Sequence, residues 1–271
     1  MILNARSEFS DSCPVVKQDS VTLRFLFVVI AFASFVPFSV VIAEHPLPAV
    51  ERKHLRDEFA QREKLFNARL AEAPKEVSLY SSRGDARLFL ANFAGAVADY
   101  EKMIVLDPKL DLSHWRLGIA YYYLKKFDKA AHQFEIYHSY DNVDRENGIW
   151  RFMSQTRSVG PEKARKGLLE YKKTDRPPYP WLYSLYAGKM KPEQVLIEIT
   201  KAGFDQRYET RVRFHADLYL GIHYELGGNQ AKALEHLHQA TANAYGRATG
   251  TYMWQVARIH YNLLAEKLAS Q

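Results

Sequence analysis

The feature that most constrains this chain is a self-match at an offset of 34 residues. When residues 77–110 are laid on 111–144, Gly84 falls on Gly118, Phe93 on Phe127, Ala96 on Ala130 and Tyr100 on Phe134. A fixed period of this length is the mark of stacked supersecondary units, in which no single unit can bury its apolar face alone. Leu106-Asp107-Pro108 closes the first unit, because proline stops one helix and leads into the next segment. A third unit, residues 214–247, reads Leu220-Gly221-Ile222-His223-Tyr224, then a Leu226-Gly227-Gly228-Asn229 turn, then Ala231 to Ala242. Its Gly221-to-Ala233 spacing of 12 repeats that of Gly84 to Ala96 and of Gly118 to Ala130. These small residues stand at the eighth and twentieth positions, where two antiparallel helices must approach closely. Large residues at the seventeenth and twenty-fourth fill the groove against the next unit.

These units look like tetratricopeptide repeats. The expected fold is all-α: a right-handed solenoid of helical hairpins, with an N-terminal helix and a C-terminal capping helix. Residues 44–76 form the leading amphipathic helix, 77–144 two good repeats, 145–213 degenerate helical repeats, 214–247 the third good unit, and 248–271 the cap. The leading helix carries a narrow stripe of Leu55, Phe59, Phe66 and Leu70, suited to packing on the first repeat or to pairing in a homodimer. In the degenerate stretch Ala164 and Leu168 hold the twentieth and twenty-fourth positions, but Phe152 replaces the small eighth residue. Residues 175–180 read as a loop, 181–188 and 192–202 as two short helices, and 251–269 as an amphipathic helix capping the stack. The order of parts, with Pro180-Trp181, Leu185-Tyr186, Gly188 and Pro192-Glu193 in the middle, is similar to that of the NlpI-type periplasmic tetratricopeptide lipoproteins. That resemblance implies a dimeric adaptor that docks cell-wall hydrolases and a protease.

Phe25 to Ala43 is free of charge, follows Arg24 and ends in Val41-Ile42-Ala43. Residues 1–43 therefore read as a lead-in and signal peptide, cleaved after Ala43. An uncleaved membrane anchor is the alternative, since the run approaches the length of a spanning helix. Glu44 stands where a lipoprotein would need a cysteine. The single cysteine, Cys13, precedes the apolar run, so the mature chain has no disulfide and no cysteine metal site.

Net charge is +6, but most of the chain mixes signs, so a nucleic-acid partner is not expected. Residues 151–176 are biased, with eight basic side chains against three acidic. They read as a solvated face or as a surface for an anionic partner. No catalytic, cofactor or metal residue is assigned. His236 and His238 face different sides of a helix, and Glu235 with His238 lacks a third ligand. His215 and His223 read as surface or interface residues. Ser154 and Ser158 have no paired base, and no phosphate loop or nucleophile elbow occurs. The ninth positions, Asp85, Ile119 and Ile222, lack the Asn and Lys that grip a peptide carboxylate in one repeat subtype.

The expectation is an exported, non-enzymatic scaffold binding other proteins, with membrane contact only if residues 25–43 persist. A membrane-tethered assembly factor, or an enzyme hidden in the degenerate middle, are its rivals. First helices line the concave side of such arrays. The expected binding face is Leu112, Trp115, Arg116, Ile119, Tyr122 and Tyr123 in the second repeat, with Leu218 and Ile222 in the last. Tyr121, Tyr122 and Tyr123 fan over about 200° of a helix, so they are not all expected to be buried.

Overall fold

The computed structural model describes residues 44–271, and the expectations for residues 1–43 lie outside the described residues. Every regular element among the described residues is helical. A leading helix α1 (Ala49–Glu72) is followed by five hairpins. They are α2 (Val77–Phe89) with α3 (Phe93–Leu106), α4 (Trp115–Tyr123) with α5 (Phe127–Tyr140), and α6 (Arg145–Val159) with α7 (Pro161–Lys166). Then come α8 (Tyr179–Tyr186) with α9 (Pro192–Lys201) and α10 (Gln206–Leu226) with α11 (Gln230–Ala242). A short α12 (Ala244–Thr249) leads into α13 (Tyr252–Ala269).

Local chemistry sets the ends. Asn92, Asp205 and Asn229 cap α3, α10 and α11 by accepting from the backbone N–H groups of Gly95, Tyr208 and Lys232. Pro161 and Pro192 open α7 and α9, where a missing N–H costs nothing. Each of the five hairpin turns carries a residue of positive φ: Ala91 (φ 61°), Lys125 (φ 60°), Gly160 (φ 89°), Gly188 (φ 74°) and Gly228 (φ 82°). Only glycine takes that conformation without strain.

The repeat spacing has a direct geometric reason. A Cβ on Gly84 would lie 2.5 Å from the Tyr100 ring, one on Gly118 2.7 Å from Phe134, and one on Gly221 2.7 Å from Leu237. In each unit the eighth residue is thus pressed against the twenty-fourth. Ala96, Ala130 and Ala233 have no exposed surface at the same crossings. Polar side chains knit neighbours together: buried Asp99 of α3 accepts from Arg83 and Arg87 of α2, and Arg87 also reaches Glu63 of α1.

The degenerate middle differs in detail from the sequence expectation. The close approach has moved one turn, from Phe152 to Gly148, where a Cβ would lie 2.5 Å from the Tyr171 hydroxyl. Helix α7 ends at Lys166, so Leu168 lies beyond it. The loop of 175–180 is shorter than expected, because α8 begins at Tyr179 with Pro180 in its first turn. Helix α10 starts at Gln206, so the boundary drawn at 213/214 falls inside a helix.

The larger difference concerns α13. Nine consecutive residues, Met253 to Tyr261, are buried, the polar Gln255, Arg258 and His260 among them, so this half of the helix is packed on every side rather than lying with one face in solvent. Besides packing on α11, it lies against the first helices of the array. Tyr252 meets Phe89 of α2 (ring centroids 5.0 Å) and Trp115 of α4 (4.8 Å), and His260 meets Tyr123 of α4. The segment before α1 joins it: His45 bonds Asn262, and Leu47 is buried.

Candidate partner-binding groove

Helix α13 decides what the inner face can offer. Ile119, Leu218 and Ile222 have no exposed surface, and Tyr122 and Tyr123 keep 5 % and 9 %. These five residues are walls against which the molecule packs itself. Tyr121 is buried as well, contrary to expectation, because α4 has a neighbour on every side. Its hydroxyl donates to Glu101 of α3, the Tyr122 ring meets Trp150 of α6, and Tyr123 stacks on Phe93 and bonds His260 of α13. Trp115 is half-buried against Tyr252. Arg116 is bound at home, donating to Asp85 of α2 at 2.8 Å. Of the expected face, Leu112 alone is exposed, on the 3-10 turn Pro108–Ser113.

What remains open are clefts beside α13. One, of about 650 Å³, lies past the C-terminal ends of the first helices, a size suited to a bound segment or ligand. Phe93, Phe127, Leu263 and Leu264 form apolar walls, and Lys125 and Lys267 stand at the cleft. Lys125 is the strained left-handed residue of its turn, the place that glycine takes in the third unit. Within the cleft is a polar chain. Arg157 donates to Glu225 (2.8 Å), His260 Nε2 donates to the other Glu225 oxygen (2.9 Å), and His260 Nδ1 bonds the Tyr123 hydroxyl (3.0 Å). Burial alone would raise the Glu225 carboxyl, but His260 and Arg157 hold it down at about 2. Burial pushes the Tyr123 phenol well above its ordinary value. The chain therefore ends on a protonated phenol.

A smaller cleft of about 290 Å³ lies at the N-terminal ends of α4, α6 and α10. Here Arg176 ties Asp144, Glu146 and Asp175 together and sits 4.5 Å from the Tyr179 ring centre. Glu146 also accepts from the Tyr219 hydroxyl. Burial, with the charge of Asp144 beside it, raises the Glu146 carboxyl to about 7.

The histidines are structural partners. His236 pairs with Asp217, His238 with the Glu44 carbonyl, and His215 with the Tyr179 hydroxyl. His215, half-buried at the smaller cleft, is pushed down to about 3 by burial and by Arg176 and Arg211, and the half-buried His223 packs on Tyr186. Among the described residues no three His, Cys, Asp or Glu side chains are grouped to hold a metal ion. Ser154 donates to the Trp150 carbonyl and Ser158 to Asp128. Three of the eight basic side chains of 151–176 are ion-paired within the chain: buried Arg151 reaches Glu135, and the exposed Arg157 and Arg176 reach Glu225 and a carboxylate cluster. Sequence reasoning passed over His260, whose position between Ile259 and Tyr261 in an apolar run was the available signal.

No protein-family model matches the chain. A stretch of 88 residues, 32 % of the chain, is 31 % identical to a protein described as Protein SGT1 homolog from Oryza sativa subsp. japonica. The matched stretch covers 24 % of that protein, so the chain spans about a quarter of the length of this relative. The chain is a helical repeat protein. Its hairpins and crossings are compatible with a tetratricopeptide-type array, and no helix among the described residues is long and apolar enough to cross a membrane.

Proposed function

We propose that this protein is a non-enzymatic scaffold, working outside the cytoplasm, that holds other proteins at the cleft left open beside α13. The observation carrying this reading is that cleft: about 650 Å³, with four apolar side chains, Phe93, Phe127, Leu263 and Leu264, in its lining beside Lys125 and Lys267. Apolar walls with a few fixed polar groups suit a protein segment. A catalytic role is disfavoured by the chemistry of the lining. Its carboxylate–histidine pair leads to a protonated phenol, and among the described residues no serine, threonine or cysteine lines the cleft. The extracytoplasmic part rests on the charge-free run Phe25 to Ala43. The likeness in element order to the NlpI-type periplasmic proteins supports an envelope adaptor that docks cell-wall hydrolases or a protease.

The test is a photo-cross-linking residue at Leu263, which is 38 % exposed, compared with one at Val105, 71 % exposed on α3. Adducts with a protein outside the cytoplasm are expected from position 263 and not from 105. Equal adducts from both, or none from 263, sink the reading. N-terminal sequencing of the cross-linked product is expected to begin at Glu44. An intact residue 1–43 segment would favour a tethered form.

A further inference from the structure

We propose that a third cleft, between α1 and α13, is a binding site for an oxyanion of the phosphate type, held by Arg52, Arg56 and Arg258. Arg52 and Arg56 stand one turn apart on α1 and so share a face. With Arg258, Asn262 and Glu266 of α13 they line a cavity of about 320 Å³.

Arg258 is the informative residue. It is 9 % exposed, yet its partners are neutral: Nε donates to the Gln255 side-chain oxygen (3.0 Å) and Nη2 to the Phe89 carbonyl (2.8 Å). Nη1 makes no hydrogen bond to the described residues, and Arg258 lines the cavity. Other sheltered arginines here have a carboxylate. Arg83 and Arg87 have Asp99, Arg116 has Asp85, and the equally buried Arg151 has Glu135. A guanidinium taken out of water without a counter-charge is costly, and burial pulls Arg258 down to about 10. The neighbours across the cleft do not supply the missing charge. The ion pairs of α1 among the described residues are Lys53 with Asp57, Glu58 with Arg62, Glu63 with Arg87 and Glu51 with Arg247. Arg52 and Arg56 take part in none of them. Among the described residues three arginines and one carboxylate, Glu266, line the cleft, and Glu266 is in none of the ion pairs within 4 Å. The planar fork of arginine matches the geometry of phosphate oxygens, and the cavity is at the small end of the range for ligand sites.

The experiment uses the full chain and inorganic phosphate, against chloride at equal ionic strength, by calorimetry and thermal melting. Phosphate is expected to bind and to raise the melting temperature. The double variant Arg52→Gln/Arg56→Gln, which removes two cations with no fold partner, is expected to weaken binding by at least about tenfold. Arg62→Gln, elsewhere on α1, leaves it unchanged. Arg258→Met is expected to abolish the response. Should that variant fail to fold, the double variant decides. A second arm uses sedimentation with phosphatidylglycerol and phosphatidylcholine vesicles. Arginine-dependent binding to the former alone assigns the phosphate to lipid headgroups, and binding of free phosphate alone assigns it to a soluble ligand. Absence of any phosphate or vesicle effect, or equal effects in wild type and double variant, overturns the proposal.

Discussion

Glu146 shows how one side chain couples the stack to pH. It lies at the start of α6, accepting from Tyr219 of α10 and Arg176 of the loop before α8, and burial raises its carboxyl from about 4.5 to about 7. A carboxyl raised in the folded state holds its proton more tightly there than in the unfolded chain. Folding is therefore favoured below about pH 4.5, and this contribution disappears as pH rises through 7. The full difference is on the order of 3 kcal/mol. Glu225, held down at about 2, acts oppositely, but its window lies below about pH 4.5 and does not overlap. His215 and His114, pushed down by burial, act in the opposite sense below about pH 6.5, so the Glu146 effect is read by thermal melting from pH 5 to 8 as the difference between wild type and variant. The Glu146→Gln variant, which mimics the protonated form, is expected to gain on wild type as pH rises and to melt higher than wild type at pH 8. Parallel profiles would mean that Arg176 keeps the carboxylate charged throughout.

At the scale of elements, what the sequence disclosed depended on how local the cause was. The glycine–alanine spacing is written by a contact within one hairpin, so Gly84, Gly118 and Gly221 could be placed from residue spacing alone. The short helices α8 and α9 were likewise announced by prolines and glycine to within about two residues. The inner face could not be read this way, because its burial is caused by α13, more than a hundred residues beyond α4. Alternation on α4 said only that three tyrosines cannot share one face. It could not say that every face has a neighbour. Helix α4 accordingly behaves as core. Tyr122→Ala, which removes a ring packed on Phe127 and Trp150, is expected to cost about 3–5 kcal/mol, or roughly 10 °C in melting temperature. Leu112→Ala, at an exposed site, is expected to stay within about 0.5 kcal/mol. Equal melting shifts for the two would mean that α4 presents Tyr122 to solvent.

At the scale of the whole molecule, α13 changes the kind of object this is. An ordinary solenoid is one-dimensional: each repeat touches its neighbours, and stability is close to a sum of local terms. Here one helix joins distant parts. Arg258 bonds the end of α2, Tyr252 meets Trp115 of α4, His260 links Tyr123 to Glu225 of α10, and Asn262 holds His45 ahead of α1. Such cross-links make opening at one end felt at the other, so the wild-type chain is expected to unfold in urea as one transition. Deleting residues 251–271 removes the buried side chains of Trp254, Val256, Ile259, Tyr261 and Leu264. At about 1.5–3 kcal/mol each, their sum is comparable to the entire stability of a domain. It also uncovers Tyr123 and Trp115, which meet His260 and Tyr252 of α13. The truncated chain is expected to lose the single transition, showing a broad or split loss of helical circular dichroism at lower urea. A synthetic peptide of residues 251–271 is expected to restore the sharp transition in trans, since the groove it leaves is shaped for it. A truncated chain with an unchanged midpoint and slope would show that α13 lies on the array without supporting it, and the inner face would then be free for a partner.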